Sequence, residues 1–255
     1  MTLNLAYSEL TRVLPWSIRA LGYPFGTAER ASTLVANAAA LHPSILADFV
    51  KMQKRAGDTF FMKRGHGVPE MVCDHMSFLE IGPVVIDYLA AHVSDDSVVA
   101  INVAGASDKW LIDSLLVLGT DYGMIILAID WDTNGVGWSL AQPRDSGSVF
   151  WSGYGVDDVI ACFQSEIENK LTDILSNSTP SGITFVGISD GDRINCVGAG
   201  DETINKKLAN AHARGIPVTP LVLNHIYELE MITWAPTSER SRAQAGFVEK
   251  SELRT

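Results

Sequence analysis

The chain has 255 residues with a formal net charge of −11, and hydrophobic residues make up 47% of it. This length and this apolar fraction are enough for one sizeable buried core. The excess of acidic side chains argues against binding to nucleic acid, which needs clustered lysine and arginine, and against an anionic membrane surface.

The beginning of the chain and its cysteines indicate the compartment. The first residues lack the basic start and the apolar run of a signal peptide, and no apolar stretch approaches the roughly 20 residues that span a bilayer. Cys73, Cys162 and Cys196 are far apart and lack the spacing of a zinc site, so we expect reduced, buried thiols rather than a disulfide. We therefore expect a cytoplasmic protein.

Helices are predicted for the first part of the chain. Apolar residues recur there at spacings of three and four and predict a helix that ends at Gly22. A second helix is expected from Thr27 to Ala38, and Pro43 is suited to open a third. The members of the first apolar stripe are Leu10, Val13, Leu14, Ile18 and Leu21.

From Phe60 onward, short apolar runs between Gly, Asp and Ser favour strands and loops over long helices. A strand at 98–103, a helix at 108–118 and a strand at 123–131 follow one another. If the two strands share a sheet, a right-handed crossover onto a parallel neighbour is expected.

The second half of the chain begins with a long loop or hairpin at 134–155, which we interpret as a domain boundary or a lid. A helix at 157–175 follows, and Asp190-Gly191 predicts a two-residue hairpin between strands at 182–189 and 193–197. Two further helices are expected, one from Asp201 to just before Gly215 and one at 219–232.

These elements predict an α/β fold, with a mixed sheet, flanking helices and an N-terminal helical subdomain. Residues 1–56 would form the subdomain, packed on an α/β body of residues 57–255 that carries a C-terminal Ser/Arg motif. We expect the two parts to form one continuous globular unit.

The C-terminal motif is Trp234-Ala235-Pro236-Thr237-Ser238-Glu239-Arg240-Ser241-Arg242. Together with the opening helices, which contain Ala20-Leu21-Gly22-Tyr23 and Phe25-Gly26, it resembles a bacterial family known as domain of unknown function 3726. The segment 82–86 also resembles that family. The resemblance implies no particular reaction.

The same motif has side chains that suit an anion. Two guanidinium groups beside two hydroxyls predict a clamp for a carboxylate or phosphate, bordered by Trp234, with Glu239 as a partner or a base. The alternative is a solvated tail whose charges face water. The clamp residues are Arg240, Arg242, Ser238 and Ser241.

A second candidate site surrounds His66, which has glycine on both sides. An accessible imidazole is suited to act as a general acid or base, and Asp74 can orient it or the neighbouring His75. Metal binding and a purely structural histidine both stay open, and we predict no metal. His66-Gly67-Val68 also resembles an element of the malate and lactate dehydrogenase-like family, which implies an NAD(P)-dependent reductase.

The third candidate is the pair Asp130 and Asp132, which follows a buried strand. Ligands of open α/β sheets gather beyond the carboxyl ends of strands, although aspartates also simply form turns. Trp138, Trp151 and Tyr154 either wall a pocket there or pack the loop.

We take as the first hypothesis an enzyme of small-molecule catabolism that acts on a carboxylate-bearing or amino-acid-derived substrate. It would be a lyase, isomerase or hydrolase without a cofactor, because the pattern at 198–200 lacks the third glycine of a dinucleotide site. One alternative is the NAD(P)-dependent reductase, and another is a non-catalytic subunit or binding module that uses its C-terminal tail. A small-molecule carboxylate is the expected partner, and a homo-oligomer is possible.

Overall fold

A computed structural model describes residues 2–55, 59–63, 67–93, 98–131, 135–144, 147–177, 181–189, 194, 196 and 203–234. Within those ranges the chain forms a mixed sheet of seven strands with helices on both faces. The predicted α/β class with a mixed sheet and flanking helices is therefore confirmed. No helix in the described ranges is both long and apolar enough to cross a membrane.

The strands of the large sheet run in the order β2-β3-β4-β8-β5-β6-β7, and β1 pairs separately with β9. Among the strands of the described ranges, β3 and β4 are the parallel neighbours, and the other neighbouring pairs are antiparallel. The strands are β1 Leu3–Leu5, β2 Phe60–Lys63, β3 Glu70–Cys73, β4 Val98–Ala104, β5 Ile125–Asp130, β6 Gly137–Arg144, β7 Gly147–Tyr154, β8 Ile183–Ile188 and β9 Ile216–Val218.

The pairing of β8 differs from two predictions: that the strands at 98–103 and 123–131 are direct neighbours, and that the strands at 182–189 and 193–197 form a hairpin. β4 and β5 do share the sheet and run parallel to each other, but β8 lies between them and is antiparallel to both. Both edges of β8 pair with β4 and β5, so the predicted hairpin, in which β8 pairs with residues 193–197, is wrong. Ile194 forms an isolated bridge with Phe163, and Asp190 and Gly191 of the predicted turn lie outside the described residues.

Most of the predicted helices are confirmed. The first apolar stripe lies on α1, and the segment predicted at 157–175 is divided into two helices, α6 and α7. The helices are α1 Tyr7–Ala20, α2 Phe25–Leu41, α3 Ile45–Phe49, α4 Phe78–His92, α5 Ile112–Asp121, α6 Val156–Ile160, α7 Ser165–Ser176, α8 Thr203–Arg214 and α9 Pro220–Trp234.

Helix α4 contradicts the prediction that strands and loops prevail after Phe60. Its Gly82 and Pro83 are residues that usually interrupt helices. A Cβ atom on Gly82 would lie 2.6 Å from a methyl group of Leu115, so glycine is what allows α4 and α5 to pack this closely. Tertiary packing therefore outweighs the local preference at this position.

Each face of the sheet covers its own apolar core. Side chains of β5 alternate, so that Ile126 and Ala128 face the core beneath α1, α2, α4 and α5, while Ile125 and Ile129 face the core beneath α6 and α7. Helix α2 of the predicted subdomain packs directly against α4 and α5. The N-terminal helices and the sheet thus share one core.

The cysteines depart from expectation in one respect. Cys162 and Cys196 form a disulfide with a Cα–Cα distance of 4.0 Å, so the prediction that no disulfide occurs is wrong. Cys162, between α6 and α7, and Cys196 both lie at the core that these two helices cover, and their distance apart in the sequence gave no sign of this contact. Cys73 is free and buried as expected, and burial raises the pKa of its thiol to about 12.

Candidate functional site

Three strands end at one edge of the sheet. β3 and β4 are parallel, and β5 runs in the same direction beyond β8, so their carboxyl ends lie together. His75, Asp108 and Asp130 lie at or just after these three strand ends. Two cavities open along this edge, where ligands of open α/β sheets usually bind.

The larger cavity has a volume of 710 Å³. Strands β5, β6 and β7 form its floor, while the end of α2 and the start of α5 form its walls. Its polar or aromatic lining residues are His42, Ser44, Lys109, Trp110, Asp113, Asp130, Trp138, Ser139, Ser152 and Tyr154.

A histidine and an aspartate face each other on one wall of this cavity. His42 directly follows α2, and Asp113 lies in the first turn of α5. The Nε2 atom of His42 is 3.3 Å from Oδ2 of Asp113, and both side chains remain accessible from the cavity. A carboxylate in this position can fix the orientation of the imidazole. The pair is therefore suited to donate or accept a proton.

An ion pair lies on the adjacent wall. The Nζ atom of Lys109 is 2.7 Å and 2.9 Å from the two carboxylate oxygens of Asp130. Lys109 belongs to a short 3-10 turn that precedes α5, and Asp130 is the last residue of β5. The sequence prediction thus found Asp130 at a cavity, but with its charge compensated by a lysine that the prediction did not include.

The floor carries small residues that leave the cavity open. Gly137 pairs with Tyr154 and Ser139 pairs with Ser152 across β6 and β7. A Cβ atom on Gly137 would meet only Cε1 of Tyr154, at 4.0 Å, so any larger side chain there would extend into the cavity. Of the three predicted wall aromatics, Tyr154 lines the cavity, whereas the side chains of Trp138 and Trp151 belong to the core on the opposite face, although Trp138 also borders the cavity.

The smaller cavity, of 480 Å³, lies beside the larger one and shares Trp110 with it. His75 and Asp108 line it, and each has a positive φ, of 62° and 64°. Residues other than glycine rarely adopt this left-handed conformation, and such strain is concentrated at functional positions. Its polar and aromatic lining residues are Tyr23, Asp48, Lys51, Gln53, Lys54, Arg55, His75, Ser77, Glu80, Ser107, Asp108 and Trp110.

A partly buried ion pair stiffens the wall of the smaller cavity. Arg55 donates from Nε and Nη2 to the two carboxylate oxygens of Glu80, at 2.7 Å and 2.6 Å. Beside them the buried Tyr23 is hydrogen-bonded to Ser77, and burial raises the pKa of its phenol. Ser77 also caps α4 by accepting the amide of Leu79 at 3.0 Å.

Most of the site residues predicted from sequence lie outside the described ranges, namely His66, Asp132, Ser238, Glu239, Arg240, Ser241 and Arg242. Trp234 ends α9, and nothing is described of its side chain. Asp74 is exposed after β3, and no described contact joins it to a histidine. The clamp and the role of His66 stay predictions. Nowhere in the described ranges do three or more His, Cys, Asp or Glu side chains group as metal ligands.

Sequence reasoning missed His42, Asp113 and Lys109. His42 lies at the end of an alanine-rich buried helix and directly precedes Pro43, which marks a helix boundary and thus an accessible position. Lys109 follows soon after a buried strand, the same signal that pointed to Asp130. Asp113 had no signal of its own, because an acid in the first turn of a helix is common.

Comparison with solved structures finds the same fold in dehydrogenases and reductases. Malate dehydrogenase of Entamoeba histolytica matches with a TM-score of 0.62 and 10% identity, over 92% of this chain and 99% of that chain. Sulfolactate dehydrogenase of Methanocaldococcus jannaschii gives 0.59 and 9%, over 91% and 98%. Delta1-piperideine-2-carboxylate reductase of Pseudomonas syringae gives 0.55 and 10%, over 89% and 100%.

At identities this low the likeness shows the fold alone, which is the malate/lactate dehydrogenase-like fold. No family model matches the chain, and no curated protein matches it either. The resemblance to the domain of unknown function 3726 family stays a prediction.

Proposed function

We propose that this protein is an NAD(P)-dependent oxidoreductase that reduces a carbonyl or imine next to the carboxylate of a small substrate, or catalyses the reverse reaction. The observation that carries the proposal is the His42–Asp113 pair on the wall of a 710 Å³ cavity, at the carboxyl edge of the sheet. The names of the structural neighbours favour this class over the lyase, isomerase or hydrolase that was the first hypothesis from sequence.

The larger cavity fits the nicotinamide end of the cofactor. Trp110 and Tyr154 supply aromatic surface for a planar ring, and the absent side chain at Gly137 leaves a recess in the floor. These three residues would hold the ring. When bound, the cofactor supplies or accepts the hydride.

His42 carries the proton that accompanies the hydride. In the reductive direction it donates a proton from Nδ1, the nitrogen that Asp113 does not engage, to the oxygen or nitrogen of the substrate double bond, and in the oxidative direction it takes that proton back. Asp113 holds the imidazole in place. Reduction thus consumes one hydride and one proton, and His42 recovers its proton from solvent, to which it is exposed.

The floor of the cavity suits the substrate carboxylate. The hydroxyls of Ser139 and Ser152 face each other across β6 and β7, and no hydrogen bond of either hydroxyl occurs within the described ranges. Both can donate to a carboxylate. The ammonium group of Lys109 adds a positive charge nearby, although Asp130 compensates part of it.

The test is to mix the protein with NADH or NADPH and a panel of small 2-oxo acids and cyclic imino acids, and to follow the loss of cofactor fluorescence. The expected result is turnover of at least one substrate, reduced by about 10²–10⁴-fold in His42→Gln, the usual contribution of a general acid. Lys170→Gln on α7 is the control, because Lys170 lies on the opposite face of the sheet. Turnover that is equal in both variants would contradict the role of His42.

A protein that neither binds a nicotinamide cofactor nor turns over any of these substrates would contradict the whole proposal. The reading as a non-catalytic module with a docking tail would then gain support. The cytoplasmic location and the homo-oligomer stay predictions.

A further inference from the structure

We propose that the smaller cavity binds the phosphate groups of the cofactor, through Lys51, Lys54 and His75. This inference rests on the proposed function and assigns the second half of its cofactor site. Trp110 lines both cavities, so a ligand whose ring lies in the larger cavity can extend past Trp110 into the smaller one. A dinucleotide has the elongated shape that such a bipartite cleft requires.

The cationic side chains of the smaller cavity differ in how firmly they are held. Arg55 is fixed to Glu80 by two short hydrogen bonds and is mostly buried, so it forms a wall. Lys51 is 3.6 Å from Asp48, with 74% of its side chain exposed, and such loose surface pairs contribute little energy. Lys54 has no ion pair within the described ranges. Both lysines are therefore available to an anion that enters the cavity.

The acidic side chains of this cavity already have partners. Asp48 pairs with Lys51, and Glu80 pairs with Arg55. Asp108 accepts a hydrogen bond from Ser107 Oγ at 3.0 Å and from Trp110 Nε1 at 3.3 Å. Glu80 is thus compensated by Arg55, and Lys54 is the lysine that an incoming phosphate meets without displacing a carboxylate, whereas Lys51 would have to leave its loose pair with Asp48.

The larger cavity is the poorer place for a phosphate. Its lysine, Lys109, is bound by both oxygens of Asp130, and Asp113 adds another negative charge. A dianionic diphosphate would be repelled there, since like charges at short distances cost free energy. The difference in charge between the two cavities therefore orients the cofactor, with its ring beside His42 and its phosphates beside Lys54.

The backbone at His75 places the imidazole in this cavity. His75 comes two residues after Cys73, the last residue of β3, and has a left-handed φ of 62°. Its backbone amide donates a hydrogen bond to the carbonyl of Gly105 at 3.2 Å. Asp108 has the same conformation after the neighbouring parallel strand. The two turns together form the mouth of the smaller cavity at the carboxyl edge of β3 and β4.

The experiment titrates inorganic pyrophosphate, and separately ADP-ribose, into the full chain by isothermal calorimetry at low salt. The variant is Lys51→Ala/Lys54→Ala. The matched control is Lys206→Ala/Lys207→Ala, which removes the same charge from α8. We expect both probes to bind the wild type, and the affinity to fall at least about tenfold in the first variant but less than about twofold in the control.

Two outcomes would overturn the inference: a wild type that binds neither probe, or equal losses in both double variants, which would reflect net charge alone. Neither measurement involves hydride transfer, so the two proposals fail separately. Binding of pyrophosphate without any turnover contradicts only the proposed function. If the protein turns over a substrate but its affinity for ADP-ribose is unchanged in Lys51→Ala/Lys54→Ala, only the phosphate assignment is contradicted.

Discussion

Asp113 and His42 are 71 positions apart in the chain, yet Oδ2 of one lies 3.3 Å from Nε2 of the other. Asp113 has no described contact with the cavity floor, so it acts through the histidine as a positioning residue. Asp113→Asn should lower kcat by about tenfold to hundredfold with little change in KM, because the imidazole loses the carboxylate that orients it.

Rescue by a conservative variant separates this role from a merely structural one, because a carboxylate at this position can still orient the imidazole. Asp113→Glu should restore part of the activity. The melting temperature should hardly change in either variant, because a pair this exposed contributes at most about 1 kcal/mol. A large fall in the melting temperature of Asp113→Asn, without recovery of activity in Asp113→Glu, would argue against the positioning role.

Gly137 tests the larger cavity by occlusion. A Cβ atom there lies in an allowed conformation with a single neighbour at 4.0 Å, so Gly137→Leu should fold normally and fill the recess in the floor. We expect the affinity for cofactor or substrate to fall by tenfold or more, as measured by fluorescence titration, while the melting temperature stays within about 2 °C of the wild type. Retained affinity in a well-folded Gly137→Leu protein would show that ligands bind elsewhere.

Gly153 provides the contrast on the neighbouring strand. A Cβ atom on Gly153 would lie 2.6 Å from the indole of Trp138, which is buried and cannot move aside freely. Gly153→Ala should therefore lower the melting temperature, because overpacking typically costs about 1–3 kcal/mol. Gly137→Leu should therefore impair binding without impairing folding, whereas Gly153→Ala should impair folding.

The sequence predicted the elements whose pattern is local. The stripe of α1 and the buried run of β5 are complete within their own segments, and both predictions are confirmed. The position of β8 between β4 and β5 depends on pairing between distant segments, which no local pattern encodes. The same holds for the site: Asp130 was found because it ends a buried strand, whereas the meeting of His42 with Asp113 depends on how α2 packs against α5.

His75 is expected to lower the stability of the fold while contributing to the binding of the ligand. The left-handed backbone of His75 costs the wild type about 1–2 kcal/mol, and a glycine at this position would not bear that cost. The greater freedom of glycine in the unfolded chain would cancel about 0.5–1 kcal/mol of this gain. His75→Gly should therefore raise the free energy of unfolding by about 0.5–1 kcal/mol in chemical denaturation. It should at the same time weaken binding of ADP-ribose.

Asp108→Gly is the matched comparison, because it has the same backbone conformation but loses two side-chain hydrogen bonds, with Ser107 and Trp110. Those losses should cancel the relief of strain, so we expect no gain in stability. A stabilised Asp108→Gly together with a destabilised His75→Gly would contradict this account of the two turns.

The cysteines make a final prediction about stability and reactivity. The disulfide between Cys162 and Cys196 closes a loop over a sequence separation of 34, for which the loop-entropy relation gives about 3–4 kcal/mol. Cys162→Ser/Cys196→Ser should lower the free energy of unfolding by about that amount in denaturant titrations, and a reductant should do the same to the wild type. Cys73→Ser serves as the control for the loss of a thiol outside the disulfide.

Thiol titration checks the same assignment without any mutation. The native, oxidised protein should show no reactive thiol at pH 8, because Cys73 is buried and its pKa is raised to about 12. Denaturation alone should expose one thiol, and denaturation with prior reduction should expose three, the full complement of the chain. Three reactive thiols in denatured, unreduced protein would show that Cys162 and Cys196 remain reduced under those conditions, as the separation of the cysteines in the sequence had led us to expect.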